Sequence, residues 1–486
     1  MTQLVNLAPI AGKVFSTGWR AARGGTLEIV EPATGRMLTE VGLATAADIG
    51  EAVRSARAAQ PAWAAVPPAE RAELLRRVAR LLEDRRGEVA AWLIREGGAI
   101  PAKAKFEIQS TVDELWVAAA LPTQPHGCLL PSVPGCDSIG RRVPLGVAGV
   151  ISPWNFPLVL AMRAVAPALA LGNAVVLKPD VHTAVSGGYV VARLFEEAGL
   201  PDGVLHVLPG DAEPGKALVE DPEVDLIAFT GSTAVGREVG AAAGRALKRA
   251  SLELGGNNAL IVLDDADLDA ASSAGAWGAF LHQGQVCMTA GRHIVHEAVA
   301  DEYLDKLTLR ADKLAVGDPW TEKVDLGPLI NAAQLSRVDT IVRDTVAAGA
   351  VLRTGGTFRD LCYRPTVLAG VTTAMPACTE EIFGPVAPVI VVRDEDEAVA
   401  VANQTEYGLV AAVQTGSVER GTALADRLRT GIVHVNDQTV NDNAFVPFGG
   451  TGASGNGSRH GALHSWDEFT RWQWRTVRQT APQYPF

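Results

Sequence analysis

Between residues 140 and 260, apolar positions fall into short β-branched runs separated by stretches with helical spacing. Residues 146–151, 174–177, 204–208 and 226–229 predict strands. Residues 157–171, closed by Gly172 and Asn173, and residues 184–198, closed by Gly199, predict helices, and another begins near Thr233. Apolar strands alternating with helices imply a parallel sheet covered on both faces, with ligands bound beyond the carboxyl ends of the strands. A second alternating set follows, with strands at 259–263 and 292–296 and helices at 268–281 and 301–314. Upstream, Leu74, Leu75, Val78, Leu81 and Leu82 make the apolar stripe of an amphipathic helix packed on the first sheet, with Arg76, Arg77, Arg80, Arg85 and Arg86 on its solvated face. The alternation across 472–478 predicts an exposed strand that pairs with another element or subunit.

Residues 143–162 carry no charge and are long enough to span a bilayer, but Pro144, Pro153 and Pro157 interrupt them. Lipid cannot satisfy the backbone groups such breaks release, so the segment reads as a buried strand and loop, not a membrane span. The first 13 residues show no basic stretch before an apolar one, and no signal peptide is expected. A chain of 486 residues exceeds one hydrophobic core, and 48% hydrophobic with 20% charged residues is ordinary globular composition. The net charge of -12 argues against a nucleic-acid partner. Cysteines at 128, 136, 287, 362 and 378 lack paired spacing, which points to a reducing, cytoplasmic setting and to no metal site. Gly450–Gly455 is a formal GxGxxG, but no strand precedes it and no acidic residue follows at the required distance, so it reads as a flexible loop.

Seven short motifs then occur in order. They are Pro153-Trp154-Asn155-Phe156-Pro157, Lys178-Pro179, the stretch from Phe229 to Thr233 with Gly236, and Leu252-Glu253-Leu254-Gly255-Gly256. After them come Gly284-Gln285-Val286-Cys287, the stretch from Glu381 through Phe383 to Pro385, and Pro447-Phe448-Gly449-Gly450. Together they resemble the aldehyde dehydrogenase superfamily over nearly the whole chain, with 34 positions between Glu253 and Cys287. The run from Leu252 to Asn258, the acidic 264–269, the stretch from Trp277 to Cys287 and Lys178-Pro179-Asp180 look like its benzaldehyde dehydrogenase branch.

The resemblance implies an α/β fold with a Rossmann-like cofactor domain (1–121 and 146–254), an α/β catalytic domain (255–453) and a small bridging, oligomerising sheet (122–145 and 471–486). It implies NAD(P)⁺-dependent oxidation of an aldehyde, of the aromatic benzaldehyde type, to the acid through a thioester on Cys287, in a homodimer or homotetramer. An aliphatic aldehyde or semialdehyde is the alternative substrate. An acylating enzyme that hands the acyl group to coenzyme A is disfavoured by Glu253, and a non-catalytic relative by the presence of both Cys287 and Glu253.

By the same resemblance Cys287 is the nucleophile, because thiolate addition makes a tetrahedral adduct able to expel hydride. Glu253 activates the water that cleaves the thioester, and Asn155 with the Cys287 backbone N–H holds the oxyanion. Lys178 is placed on the adenine ribose, and Gly231-Ser232 open a helix facing the pyrophosphate. Glu381 is placed on the nicotinamide ribose with Phe383 beside it. Trp154 lines the cleft, and Ile151, Ser152, Pro153, Pro179, Asp180, Gly210, Gly215, Phe229, Val235, Leu254 and Gly255 complete the cofactor set. Phe156, Leu160, Arg163, Val286, Met288 and Phe448 are expected around the substrate, with Arg163 the alternative selector of an anionic one. Two positions depart from the pattern. Val181 stands where NAD⁺-selecting members commonly carry glutamate, so NAD⁺ is expected first with NADP⁺ also accepted; Arg459 replaces a relay glutamate, so Glu253 is expected to act without it.

Overall fold

The computed structural model describes Leu4, residues 8–125 and residues 127–486. The first sheet runs in the order Arg249–Glu253, Leu226–Thr230, Val147–Ile151, Ala174–Lys178, Leu205–Val207, Lys13–Ser16, Gly18–Ala21. The members from Arg249–Glu253 to Leu205–Val207 are parallel, and the last two return antiparallel. Alternate residues feed two cores. Val150, Val175 and Leu177 meet the helix Pro157–Ala170, while Val147, Val176 and Ile227 meet Ile49, Val53 and Ala56 of the helix Ala46–Ala65. Burial on both faces explains why these strands lack a polar side.

The chain steps outward from Val147–Ile151 to Ala174–Lys178 and Leu205–Val207, then returns to lay Leu226–Thr230 on the opposite flank. The strand order therefore reverses between Val147–Ile151 and Leu226–Thr230. Such a switch point opens a crevice at the carboxyl ends, where ligands of this architecture bind. The loops from Ser152 and from Gly231 leave from the two strands that flank it.

Two expectations are modified. The amphipathic helix, Pro68–Asp84, packs on Pro101–Ala120 and Pro157–Ala170 instead of on the sheet, because Pro157–Ala170 already covers that face and is itself buried along nearly all its length. The helix expected over 184–198 opens with a wide π-turn, Val185–Tyr189, before Val190–Glu197. There Gly187 and Gly188 lie so close to Pro157 and Pro179 that a Cβ would come within 2.8 and 2.7 Å of proline side-chain carbons.

The second sheet runs Val351–Thr354, Thr366–Ala369, Val386–Val392, Arg292–His296, Ala259–Val262, Val410–Gln414, Ile432–Val435, parallel except at its first pair. The strand foreseen near the C-terminus, Thr470–Arg478, pairs antiparallel with Cys136–Pro144 along its whole length, and Gly127–Leu129 flanks that strand. Trp472 and Trp474 remain exposed on it. The uncharged segment 143–162 divides into the end of one strand, Val147–Ile151, and the first turns of Pro157–Ala170. Among the described residues no helix is long and apolar enough to cross a membrane.

Arg292 is the largest fully buried side chain. It donates to the carbonyls of Asn257 at 2.9 Å, Val401 at 2.8 Å and Ala402 at 3.0 Å. Burial pushes its pKa down to about 10. Removing the guanidinium strands three buried acceptors, so Arg292→Met is expected to cost about 3 kcal/mol or more. A denaturant midpoint indistinguishable from wild type would show that these bonds do not hold the centre of the second sheet to the helix Glu395–Asn403.

Candidate active site

Cys287, the expected nucleophile, follows a strained turn. After the helix Leu268–Phe280, His282 and Gln283 adopt φ of 49° and 58°, a left-handed conformation that non-glycine residues rarely take. Gln283 is held there by its Nε2, which donates to the carbonyls of Gly98 at 3.0 Å and Pro328 at 2.7 Å. Gly284 must be glycine, since a Cβ would stand 2.1 Å from the Gly384 carbonyl. Gln285 Oε1 accepts from Ile330 N–H at 3.0 Å. Cys287 follows, half-buried, its carbonyl fixed by Asn258 Nδ2 at 2.8 Å.

Glu253 ends its strand at 4% exposure, and neither carboxylate oxygen has a hydrogen-bond partner among the described residues. Its backbone is held instead. Gly231 N–H donates to its carbonyl at 3.0 Å, Leu254 N–H donates to Ser454 at 3.0 Å, and Glu253 bridges Gly455. A Cβ on Gly449 would lie 2.9 Å from Glu253 Oε1. Burial raises the carboxyl well above its usual range, and the opposing charges of Arg163 and Arg459 do not restore it. Burial, reinforced by Glu381 and Glu253, pushes the Cys287 thiol up to about 12.

Asn155 is buried, and its Nδ2 donates to the Gln285 carbonyl at 2.9 Å. An amide nitrogen has two hydrogens, so one remains for a substrate oxygen. The Cys287 backbone N–H meets no acceptor among the described residues. Asn155 and Cys287 are thus joined through Gln285, with one donor free on each.

At the switch point Trp154 packs edge-on against Phe383, ring centroids 5.4 Å apart, and Phe383 is itself left-handed at φ 56°. Pro153 and Ile151 lie on the same strand end, where the buried Ser152 Oγ lacks a partner among the described residues. Lys178 Nζ donates to the Gly210 carbonyl at 2.6 Å, and a Cβ on Gly215 would touch its stem at 3.4 Å. Glu381 Oε1 accepts from Gly256 N–H at 2.9 Å, and burial pushes its carboxyl up to about 7. A Cβ on Gly255 would stand 2.2 Å from Glu381 Oε2. Ser232 caps the helix Thr233–Arg245, with Val235 exposed in its first turn. Phe229 and Leu254, expected at the cofactor, have their side chains in the core beneath that turn, because glycines at 231 and 236 let the backbone close over them.

On the other side of Cys287, one apolar cluster gathers Phe156, Leu160, Val286, Met288 and Phe448 with Val159, Leu281, Leu409, Val410, Val440 and Ile432. Arg163 does not serve as a free cation there. It is paired with Glu114 at 2.9 Å and with Asp442, and its guanidinium lies 4.6 Å from the Phe448 ring centre. Two carboxylates spend its charge, which removes the basis for anion selection.

The glycine-rich 450–455 is not a loose loop. Its Ser454 and Gly455 are bonded to the end of the Glu253 strand, which ties it down. Arg459 leaves no carboxylate at its position, but Glu468 accepts from the Arg459 backbone N–H at 3.2 Å and its charge acts on Glu253. Glu468, Lys103 and Glu107 also act on the site, and nothing local in the sequence marks them, whereas His282 lies within the stretch from Trp277 to Cys287 without a role being assigned to it. No cluster of His, Cys, Asp and Glu among the described residues could hold a metal.

The aldehyde dehydrogenase family model matches residues 19–475. The chain belongs to the aldehyde dehydrogenase family. It is 55% identical over 476 residues to a vanillin dehydrogenase of Amycolatopsis sp. and 52% identical over 476 residues to a benzaldehyde dehydrogenase [NAD(+)] of Pseudomonas putida, each covering 98% of both chains. The crystal structure of betaine aldehyde dehydrogenase from Staphylococcus aureus in complex with NAD⁺ is similar at a TM-score of 0.95 and 28% identity, covering 99% of this chain and 97% of that one. The roles expected of Glu253 as a base and Cys287 as a nucleophile require the ionised carboxylate and the thiolate, and both groups are raised. Each is protonated below its pKa, so raising the pH creates the active forms. kcat/KM, measured at saturating cofactor, is expected to keep rising with pH through the neutral and alkaline range, towards the thiol value of about 12. A flat or falling profile would contradict this electrostatic picture.

Proposed function

We propose that this aldehyde dehydrogenase oxidises an aromatic aldehyde to its carboxylic acid with NAD⁺, through a thioester on Cys287. The observation that carries the reading is Cys287, packed against an apolar cluster and within electrostatic reach of Glu253, a buried carboxyl with no hydrogen-bond partner among the described residues. The Cys287 sulfur adds to the aldehyde carbon, and the resulting oxyanion is received by the free Asn155 amide hydrogen and the Cys287 N–H. Bound nicotinamide supplies the hydride acceptor. Glu253 then takes a proton from water as the water oxygen attacks the thioester carbon; the carbon–sulfur bond breaks and the acid leaves.

The residues fit a dinucleotide. The helix opened by Gly231-Ser232 presents its N-terminus beside the switch point, Lys178 lies at the end of an adjoining strand, and Gly255 leaves room at Glu381. Lys178 and Pro179 would hold the adenosine end, Glu381 the nicotinamide ribose, and Trp154 with Phe383 the wall. NAD⁺ is the first cofactor and NADP⁺ is accepted, since Val181 neither attracts ribose hydroxyls nor repels a 2′-phosphate. The relatives named for vanillin and benzaldehyde support a flat aromatic substrate. Burying a ring against Phe156 and Phe448 contributes about 1.5–3 kcal/mol over a short aliphatic chain.

The same proposal includes domains at 1–121 with 146–254 and at 255–453, and a homodimer or homotetramer joined through the small sheet whose exposed Leu129, Trp472 and Trp474 support it. Five unpaired cysteines support a cytoplasmic setting.

Cys287→Ala is expected to abolish oxidation while NAD⁺ still binds, and Glu253→Gln to give a burst of NADH followed by slow turnover. Oxidation within tenfold of wild type in the first, or normal steady-state turnover in the second, would overturn the thioester route. A panel of benzaldehydes and short aliphatic aldehydes, each assayed with both cofactors, is expected to favour the aromatic substrates and to separate NAD⁺ from NADP⁺ by less than about a thousandfold, roughly 4 kcal/mol. Higher kcat/KM for acetaldehyde than for benzaldehyde would refute the substrate class.

A further inference from the structure

One buried ion pair takes no part in the chemistry above. Lys103 and Glu107 stand a turn apart on the helix Pro101–Ala120, paired and almost wholly removed from solvent. Such a pair gains little stability over apolar residues of the same size, because desolvation offsets the attraction. Its other contacts are therefore the informative ones. Lys103 Nζ donates to the Asn155 carbonyl at 2.8 Å and lies 4.2 Å from the centre of the Phe156 ring. Glu107 Oε1 accepts from Leu158 N–H at 2.8 Å and Val159 N–H at 3.4 Å. These N–H groups belong to the first turn of Pro157–Ala170, where donors lack intrahelical partners and the helix dipole favours an anion.

The pair thus grips both ends of the segment 155–159: the ammonium holds the peptide after Asn155, and the carboxylate holds the helix that follows. Phe156 between them meets the His282 ring edge-on at 5.4 Å, and His282 belongs to the strained turn before Cys287. The Asn155 side chain has one anchor of its own, the bond to Gln285. A rotation of the Asn155 backbone would swing its free amide hydrogen away from the reacting oxygen.

We propose that Lys103 and Glu107 are positioning residues for the oxyanion hole, fixing the Asn155 backbone so that its amide is aimed before substrate arrives. A donor set in advance stabilises developing charge without reorganisation, and that is where such groups gain most. The proposal rests on the thioester reading, in which Asn155 receives the oxyanion.

The test uses the full chain and reads single-turnover NADH formation, NAD⁺ affinity and thermal melting. Lys103→Met leaves a buried carboxylate unpaired. The companion variant Lys103→Met with Glu107→Gln therefore removes both charges together and retains an acceptor for Leu158. In the companion the single-turnover rate is expected to fall at least about tenfold with NAD⁺ affinity within about twofold. Adding Asn155→Ala to it is expected to cost far less than Asn155→Ala alone, because both changes act through one group. Lys103→Arg, which keeps charge and donor, is expected to recover part of the rate. A companion rate within about threefold of wild type, or fully multiplicative losses with Asn155→Ala, overturns the positioning role alone. An unchanged rate in Asn155→Ala itself overturns the oxyanion reading and the pair's role with it.

Discussion

A carboxylate taken out of water without a hydrogen bond is among the most expensive groups a protein can hold, and Glu253 has no such partner among the described residues. The surrounding architecture makes this tolerable by fixing the backbone and leaving the side chain alone. Its strand is paired with Leu226–Thr230 on one side, its end is bridged to Gly455, and the carbonyl is bonded to Gly231. The same three ties hold the helix start at Ser232 and the glycine-rich stretch after Phe448. Keeping one base dry therefore fixes the registry of the crevice as a whole.

Desolvation acts on both groups of the proposed mechanism, with opposite consequences. It would make Glu253 a better base and Cys287 a more reluctant nucleophile, and each carboxylate near the thiol adds to that reluctance. A site built this way depends on stabilising the oxygen once the sulfur has attacked, because it does little to ionise the sulfur beforehand. The weight then falls on the donors at Asn155 and Cys287, and on the strained turn of His282 and Gln283 that keeps them together.

Much of this was legible in the sequence because the chemistry sits in contiguous runs. Pro153–Pro157 joins a strand end, a turn and a helix start in five residues, and Leu252–Gly256 puts a carboxylate beside the glycines that let ligand and loop approach. The alternating strands and helices were equally readable, since burial on both faces leaves an unmistakable apolar run. Lys103 was not readable: it sits 52 positions from the carbonyl it holds, on a helix whose pattern shows only ordinary amphipathicity. The pairing of Arg163 was hidden for a related reason. Its partners Glu114 and Asp442 lie 49 and 279 positions away, and no local feature announces that its charge is already spent.

The adenosine end shows how a neutral substitution shifts the electrostatics around it. Asp180, one position before Val181, accepts from the His182 backbone at 2.9 Å and from its ring at 2.7 Å. Burial would raise the Asp180 carboxyl, but the His182 contact lowers it, so it stays ionised while its charge is turned toward the imidazole. His182 is raised in return and reaches Asn331 through its other nitrogen. Asp180 and Asp211 still act through space on Lys178, although no carboxylate is ion-paired with it among the described residues. With no carboxylate at 181 itself, that more distant charge opposes a 2′-phosphate only weakly, which is the physical basis for the proposed cofactor preference of degree and not of kind.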